Sequence, residues 1–372
     1  MYRLGFTGRL AVWSATHRAN MVLAWVAALA LTLVLAALFG GDFRTDYEFT
    51  RPQESQRARD TLRALRGGDP LNEIVLVRSP SRRASDADFQ QRVTEIVRDL
   101  RAQTDAIDAK QTVSYLDLPG GGGLVSADGH SALISTLLTG DLNGSGARLT
   151  ALRTVLATYD GRDGYTVQSG GVASVSEALT HAAEADLAME ARVLPVALIV
   201  LIVVFGAVVT ALVPLAVTFV AIGVTFGIVT LLSNAWELSI FATNVITGIG
   251  LAVGIDYVLF IVARYREQRR LGQSEAEALG YAGDTASRAV LFSGATVVIA
   301  LLGMLIVPST IFRSFAIGAT AVVVVAVLAA LTLLPAVLSL LGPSLNALAL
   351  PWSRGTDLPS SNRGVWAGLA RF

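Results

Sequence analysis

Hydrophobic and polar positions divide the chain into stretches of two kinds. Residues 21–39, 192–209, 210–232, 289–307 and 311–341 are almost wholly apolar, and the first 25 residues of the stretch 239–270 are apolar or small. Each run is long enough to cross a bilayer as a helix, so the pattern predicts six transmembrane helices. Residues 40–190, between the first and second runs, have a different character. Apolar positions there recur at every second residue or along one face of a helix. Residues 71–79 alternate as a strand, and 86–103 place Phe89, Val93, Ile96, Val97 and Leu100 on one helical face. Further strands are expected over 112–118, 131–139 and 165–169, and helices over 53–66, 145–160 and 173–190. Pro52 is placed to start the first of these helices, and the last leads into the second apolar run.

From residue 71 onward the order is β-α-β-β-α-β, that of a ferredoxin-like split βαβ unit. Pro119 and the run Gly120 to Gly123 separate its two middle strands. A phosphate cradle would require a strand-to-helix switch and a following Gly-Lys-Ser/Thr; neither is present, and the run reads as a flexible hairpin loop. Glu177, His181 and Glu184 share one face of the 173–190 helix. That spacing could hold a metal, but a solvated polar face is the better reading.

Composition agrees with the pattern. Of 372 residues, 53% are hydrophobic and 16% charged, with a mean hydropathy of +0.57. These values describe a polytopic membrane protein that carries a sizeable soluble part. No cysteine is present, and the three histidines, His17, His130 and His181, lie far apart, so no metal site is expected. Net charge is zero, yet residues 40–190 hold 22 of 29 acids against 16 of 29 bases. An acidic insert on a membrane domain with basic ends is the pattern of an extracytoplasmic domain, and it excludes nucleic acid as a partner. The organisation expected is an amphipathic cytoplasmic lead (1–20), a first span (21–39), the external domain (40–190), spans two to six (191–341) and a cytoplasmic tail (342–372). Arginines beside the spans place both termini inside, in the cytoplasmic membrane of a multi-pass protein. The spacing Ser274-to-Glu277 is that of a capping box and predicts a short interfacial helix.

The candidate chemistry sits in the fourth span. Asp256 is the one acid within the predicted spans, and Tyr257 follows it. A carboxylate at that depth costs about 2.5–3.5 kcal/mol on the insertion scale, so it calls for a function, and a proton relay is the natural one. Gly250 and Gly254 form a small step that lets a neighbouring helix approach, and the acid is accordingly expected to face protein rather than lipid. A protease of the intramembrane aspartyl type needs two carboxylates sharing a proton, and the spans supply one. The sequence shows neither a serine elbow nor a nucleotide loop. An enzyme is therefore not expected, and neither is a cofactor; the energy source would be the proton gradient.

The string GIDYVLFIVARYREQ resembles the fourth transmembrane helix of the MMPL transporters, members of the resistance–nodulation–division (RND) superfamily of proton-driven exporters. SRAVLFSGATVVIALLGMLIVP resembles that family's fifth helix, and LAALTLLPAVLSLLGP the end of its sixth. The resemblance implies that Asp256 and Tyr257 take up and release protons, that Ser293 lies near them, and that residues 40–190 form a porter domain. It further implies export of a lipid, glycolipid or other hydrophobic molecule. A drug-efflux pump of the same mechanism and a sterol-sensing-like sensor module are the alternatives. Superfamily members are usually twofold repeats whose Asp-Tyr pairs meet across the halves. Residues 365–372 also loosely resemble 6–13. The expectation is an amino-terminal half that needs a second half as partner, either a missing carboxy-terminal repeat or a dimer mate.

Overall fold

The computed structural model describes residues 4–44, 71–140 and 144–348, with isolated positions 54, 57, 58, 61, 64 and 142. The helix expected over 53–66 and the similarity at 365–372 fall mostly or wholly outside the described residues. The chain divides into two compact units, one of Met1–Phe43 with Ala185–Phe372 and one of Arg44–Glu184.

Along the chain, α1 (Phe6–Thr16) precedes the long apolar α2 (Arg18–Phe39). The buried side of α1 is Thr7, Gly8, Ala11, Ser14 and Ala15, a stripe of small residues spaced at one helical turn. On α2, the Trp25 indole donates to the Thr332 hydroxyl at 3.0 Å.

The second unit contains β1 (Leu71–Arg78), α3 (Ala87–Arg101), β2 (Val113–Ser114), β3 (Ser131–Leu138), α4 (Ser145–Ala157) and β4 (Thr166–Gly171). Its sheet runs β2-β3-β1-β4 with every neighbouring pair antiparallel. Leu71 pairs with Leu138 and Val75 with Ile134, and alternate residues of β1 and β3 are buried beneath the helices. Phe89, Ile96 and Leu100 of α3 and Leu149 and Leu152 of α4 are fully buried. Each such side chain contributes about 1.5–3 kcal/mol of transfer free energy.

Residues 112–118 do not continue as a strand. The backbone N–H and the hydroxyl of Ser114 donate to one Asp117 carboxylate oxygen at 2.8 and 2.9 Å. These bonds turn the chain into a 3₁₀ segment at Tyr115–Asp117. Gly120 to Gly123 follow with φ of 66°, 75°, 55° and 73°, four successive left-handed residues that only glycine adopts freely. The run is a tight coil rather than an open hairpin tip.

Helix α5 (Val172–Phe205) begins in this unit and continues as the second apolar span. Its first turn is held by Glu73 of β1, which is fully buried. The backbone N–H and hydroxyl of Ser174 donate to the two Glu73 oxygens at 2.9 and 2.6 Å. A carboxylate satisfies orphan donors at a helix N-terminus and complements the dipole there.

The remaining spans are α6 (Val208–Ser233), α7 (Phe241–Arg270), the segment Glu275–Ile306, and α10 (Thr310–Leu331) with α11 (Leu333–Leu341). Glu275–Ile306 comprises α8 (Glu275–Ala282), a π turn at Gly283–Ser287 and α9 (Arg288–Leu302), with a 3₁₀ end. Six helices of the described chain are thus long and apolar enough to cross a membrane. The sixth span is 72% buried, the third 50% and the fourth 39%, against 0%, 6% and 11% for the first, second and fifth, so the sixth, third and fourth form the bundle's centre. The sixth breaks at Thr332 because Pro335 cannot donate to Leu331 and its ring crowds that carbonyl. The Ser274–Glu277 capping box forms at the head of α8. Asp284 in the π turn accepts from Gly5 N–H and Gly8 N–H, both at 3.0 Å, and so caps α1.

Candidate relay face on the fourth span

Helix α7 presents two faces with different tasks. Gly250 and Gly254 are buried, and a Cβ on Gly250 would lie 2.7 Å from Ile222 of α6 and 2.9 Å from Val322 of α10. A Cβ on Gly254 would lie 2.7 Å from Thr218 of α6. Both positions require glycine, since the neighbouring side chains occupy the space a methyl would take. This is the close approach that the glycine step implies.

Tyr257 shares that inner side. It is 7% exposed, and its hydroxyl lies 3.6 Å from where a Cβ on Gly294 of α9 would stand. Asp256 does not face a neighbouring helix of this chain, contrary to the expectation. It is exposed, as are Ala252, Phe260 and Ala263 on the same stripe. The reason is angular: an advance of two positions turns a helix by about 200°, so Asp256 points nearly opposite to Gly254, while Tyr257 returns to the packed side. Asp256 has no hydrogen-bond or ion-pair partner among the described residues. Ser293 is also exposed and directly precedes Gly294; no hydrogen bond joins it to Asp256. The structure therefore brings Tyr257 to the Ser293–Gly294 turn and leaves both Asp256 and Ser293 on open surface.

Two cavities flank the acid along α7. Toward the Arg-rich end, one of about 370 Å³ is lined by Phe260, Ala263, Arg264, Glu267, Thr285 and Ala286. There Arg264 donates to the Tyr281 hydroxyl at 2.9 Å and pairs with Glu267. Toward the other end, residues of α5 and α7 line an open cleft of about 620 Å³. That cleft is lined by Glu190, an acid that the sequence pattern places at the end of the helix leading down to the membrane. The signal was available: 186, 190, 193, 194 and 197 fall on one helical stripe, which carries two acids straight into apolar positions.

Of the residues on the other candidate face, Glu177 pairs with Arg153, while His181 Nδ1 lies 3.4 Å from Glu184. No group of three metal-ligating side chains occurs among the described residues.

The model of the MMPL family matches residues 50–371. The chain belongs to the MMPL family. It is 33% identical over 366 residues to a membrane protein of Streptomyces coelicolor, covering 96% of this chain and 49% of that protein. It is 37% identical over 202 residues to a mycolic acid-containing lipids exporter of Mycolicibacterium smegmatis, covering 53% of this chain and 21% of the exporter. The chain thus spans about half, or less, of the length of these relatives. Among solved structures, the hedgehog release protein Disp from the water bear Hypsibius dujardini superposes with a TM-score of 0.53 at 14% identity, covering 91% of this chain and 49% of that one. The likeness is one of fold.

Proposed function

We propose that this MMPL chain is one half of a proton-driven exporter of a lipid, glycolipid or other hydrophobic molecule in the cytoplasmic membrane, and not an enzyme. The observation that carries the reading is Asp256: an unpartnered carboxylate on the exposed stripe of a membrane helix, beside the inward Tyr257. Leaving such a group against hydrocarbon is costly. A second half, whether a further repeat or a second copy, would cover the stripe and give Asp256 and Ser293 polar company. Proton uptake and release at Asp256 would then bias two arrangements of the halves.

The inserted unit is read as a ferredoxin-like porter domain. Its strand order, with β3 between β1 and β2 and both helices on the connections, supports that reading. The acidic balance of 40–190 and the arginines beside the spans support an external domain with both termini inside. Lipid cargo is favoured over drug efflux or sensing by the lipid-exporter relative. The test is proton flux. Vesicles carrying the transporter and an enclosed pH-sensitive dye should acidify or alkalise with cargo movement. Asp256→Asn, which keeps shape and hydrogen-bonding capacity, should abolish that flux while the protein remains folded. Undiminished flux through the Asn variant removes the relay.

A further inference from the structure

The fifth span is irregular at both ends, in opposite senses. At its start, Gly283–Ser287 form a π turn, which takes in one residue more than an α turn. At its close, Gly303–Ile306 are 3₁₀, wound tighter than α. Between them α9 is loosely held: of its 15 residues, only Val290 and Gly294 are buried. The stretch before the turn is fixed, since α8 buries Ala278, Leu279, Gly280 and Ala282. The turn itself is clamped by α1. Asp284 accepts from Gly5 and Gly8 N–H, both at 3.0 Å, and a Cβ on Gly283 would lie 2.8 Å from Gly8 Cα. The turn also leaves the Ser287 hydroxyl buried without a hydrogen-bond partner, which costs free energy. Single π turns inside helices are frequent at functional sites.

We infer that the fifth span is a two-register switch: when the π turn winds into α, α9 screws forward by one residue and Ser293 replaces Gly294 against Tyr257. The displacement of α9 is about 100° and about 1.5 Å. Relaxing the four 3₁₀ residues to α would turn the far end back by about 80° and shorten it by about 2 Å, so the motion stays within the span. Ala289 and Ser293, both exposed now, would take the buried places of Val290 and Gly294. The Tyr257 hydroxyl, 3.6 Å from where a Cβ on Gly294 would stand, would then meet the Ser293 side chain. Two features hold the present register. One is the Asp284 clamp, and the other is Val327, whose Cγ2 lies 2.5 Å from that Cβ position and must turn aside. The switch is independent of proton coupling, and only its bearing on the relay rests on the function proposed above.

The chain contains no cysteine, so a single introduced thiol reports its own exposure. Ala289→Cys and Leu291→Cys, made separately at the start of α9, are to be timed against N-ethylmaleimide in the full chain purified in dodecyl maltoside. With the π turn present, the Ala289→Cys thiol is exposed and the Leu291→Cys thiol half-buried. In the second register the first is covered, and the other moves to the place of Phe292, which is 62% exposed. Asp284→Ala, which frees the turn, should slow the first thiol about tenfold and quicken the second, as a shifted population requires. Deleting Thr285 as well removes the residue that the turn holds in excess and leaves a straight helix in the present register. Both rates should then return to those of the unmutated turn. An Asp284→Ala protein in which neither rate changes overturns the proposal. So does one in which both quicken, as in a loosened fold, or one whose changes survive the deletion of Thr285.

Discussion

At the scale of single residues, the fourth span shows how much a helix's angular geometry decides. The glycine step was legible as a packing surface, and Gly250 and Gly254 do lie against Ile222, Val322 and Thr218. Extending that inference to Asp256 failed because the acid follows Gly254 by two positions and points away from it. In the second unit, the Tyr159 hydroxyl donates to Asp99 at 2.5 Å. That bond, with Arg98 beside it, holds the Asp99 carboxyl below its usual range. Burial, and then the Asp99 carboxylate, push the Tyr159 phenol up to about 12. The signs give opposite limbs. Asp99 is depressed when folded, so its contribution is present above the ordinary aspartate range and lost as pH falls through the folded value. Tyr159 is raised, so its contribution is present below pH about 10 and lost as pH rises toward 12. Thermal unfolding of the full chain should therefore show a stability plateau between these limits, and Asp99→Asn should flatten the acid limb. An unchanged acid limb in that variant would place the pH dependence elsewhere.

At the scale of elements, periodicity marked α3, β1, β3 and α4 well because each buries one regular face. The apolar residues of α3 that periodicity singled out are all buried. Residues 112–118 escaped the same logic, since Ser114 and Asp117 form a local hydrogen-bonded turn that competes with the sheet ladder. Glu73 escaped as well: a charged residue in a strand reads as solvent-facing, and its partner Ser174 is 101 residues away. It ties the central strand to the first turn of α5. Glu73→Ala should cost about 1–3 kcal/mol by leaving buried donors at Ser174 unsatisfied, read as a lower midpoint in denaturant melts. Glu73→Gln should cost less, because the amide still offers an acceptor. Equal stability of Glu73→Ala and the parent would show that the cap is not needed.

At the scale of the whole molecule, six apolar runs and the motif strings in 250–343 were enough to indicate a membrane bundle of this family, because long hydrophobic runs and dense motifs survive without any tertiary information. Less legible was which spans form the centre. The sixth is the most apolar by mean hydropathy, yet the first comes next and has no buried residue. Hydropathy reports preference for a non-aqueous medium and does not separate lipid from protein. The cleft beside Glu190 was hidden for a related reason, since it arises from two helices meeting across more than fifty residues of sequence. The account rests on Asp256 exchanging its proton during work, and that event can be observed at the group itself. Infrared difference spectra of the transporter in membranes, with ¹³C-labelled aspartate, should show a protonated-carboxyl band that appears and vanishes as the pH gradient is reversed, and that is missing from Asp256→Asn. A band pattern identical in the parent and the variant would contradict the account.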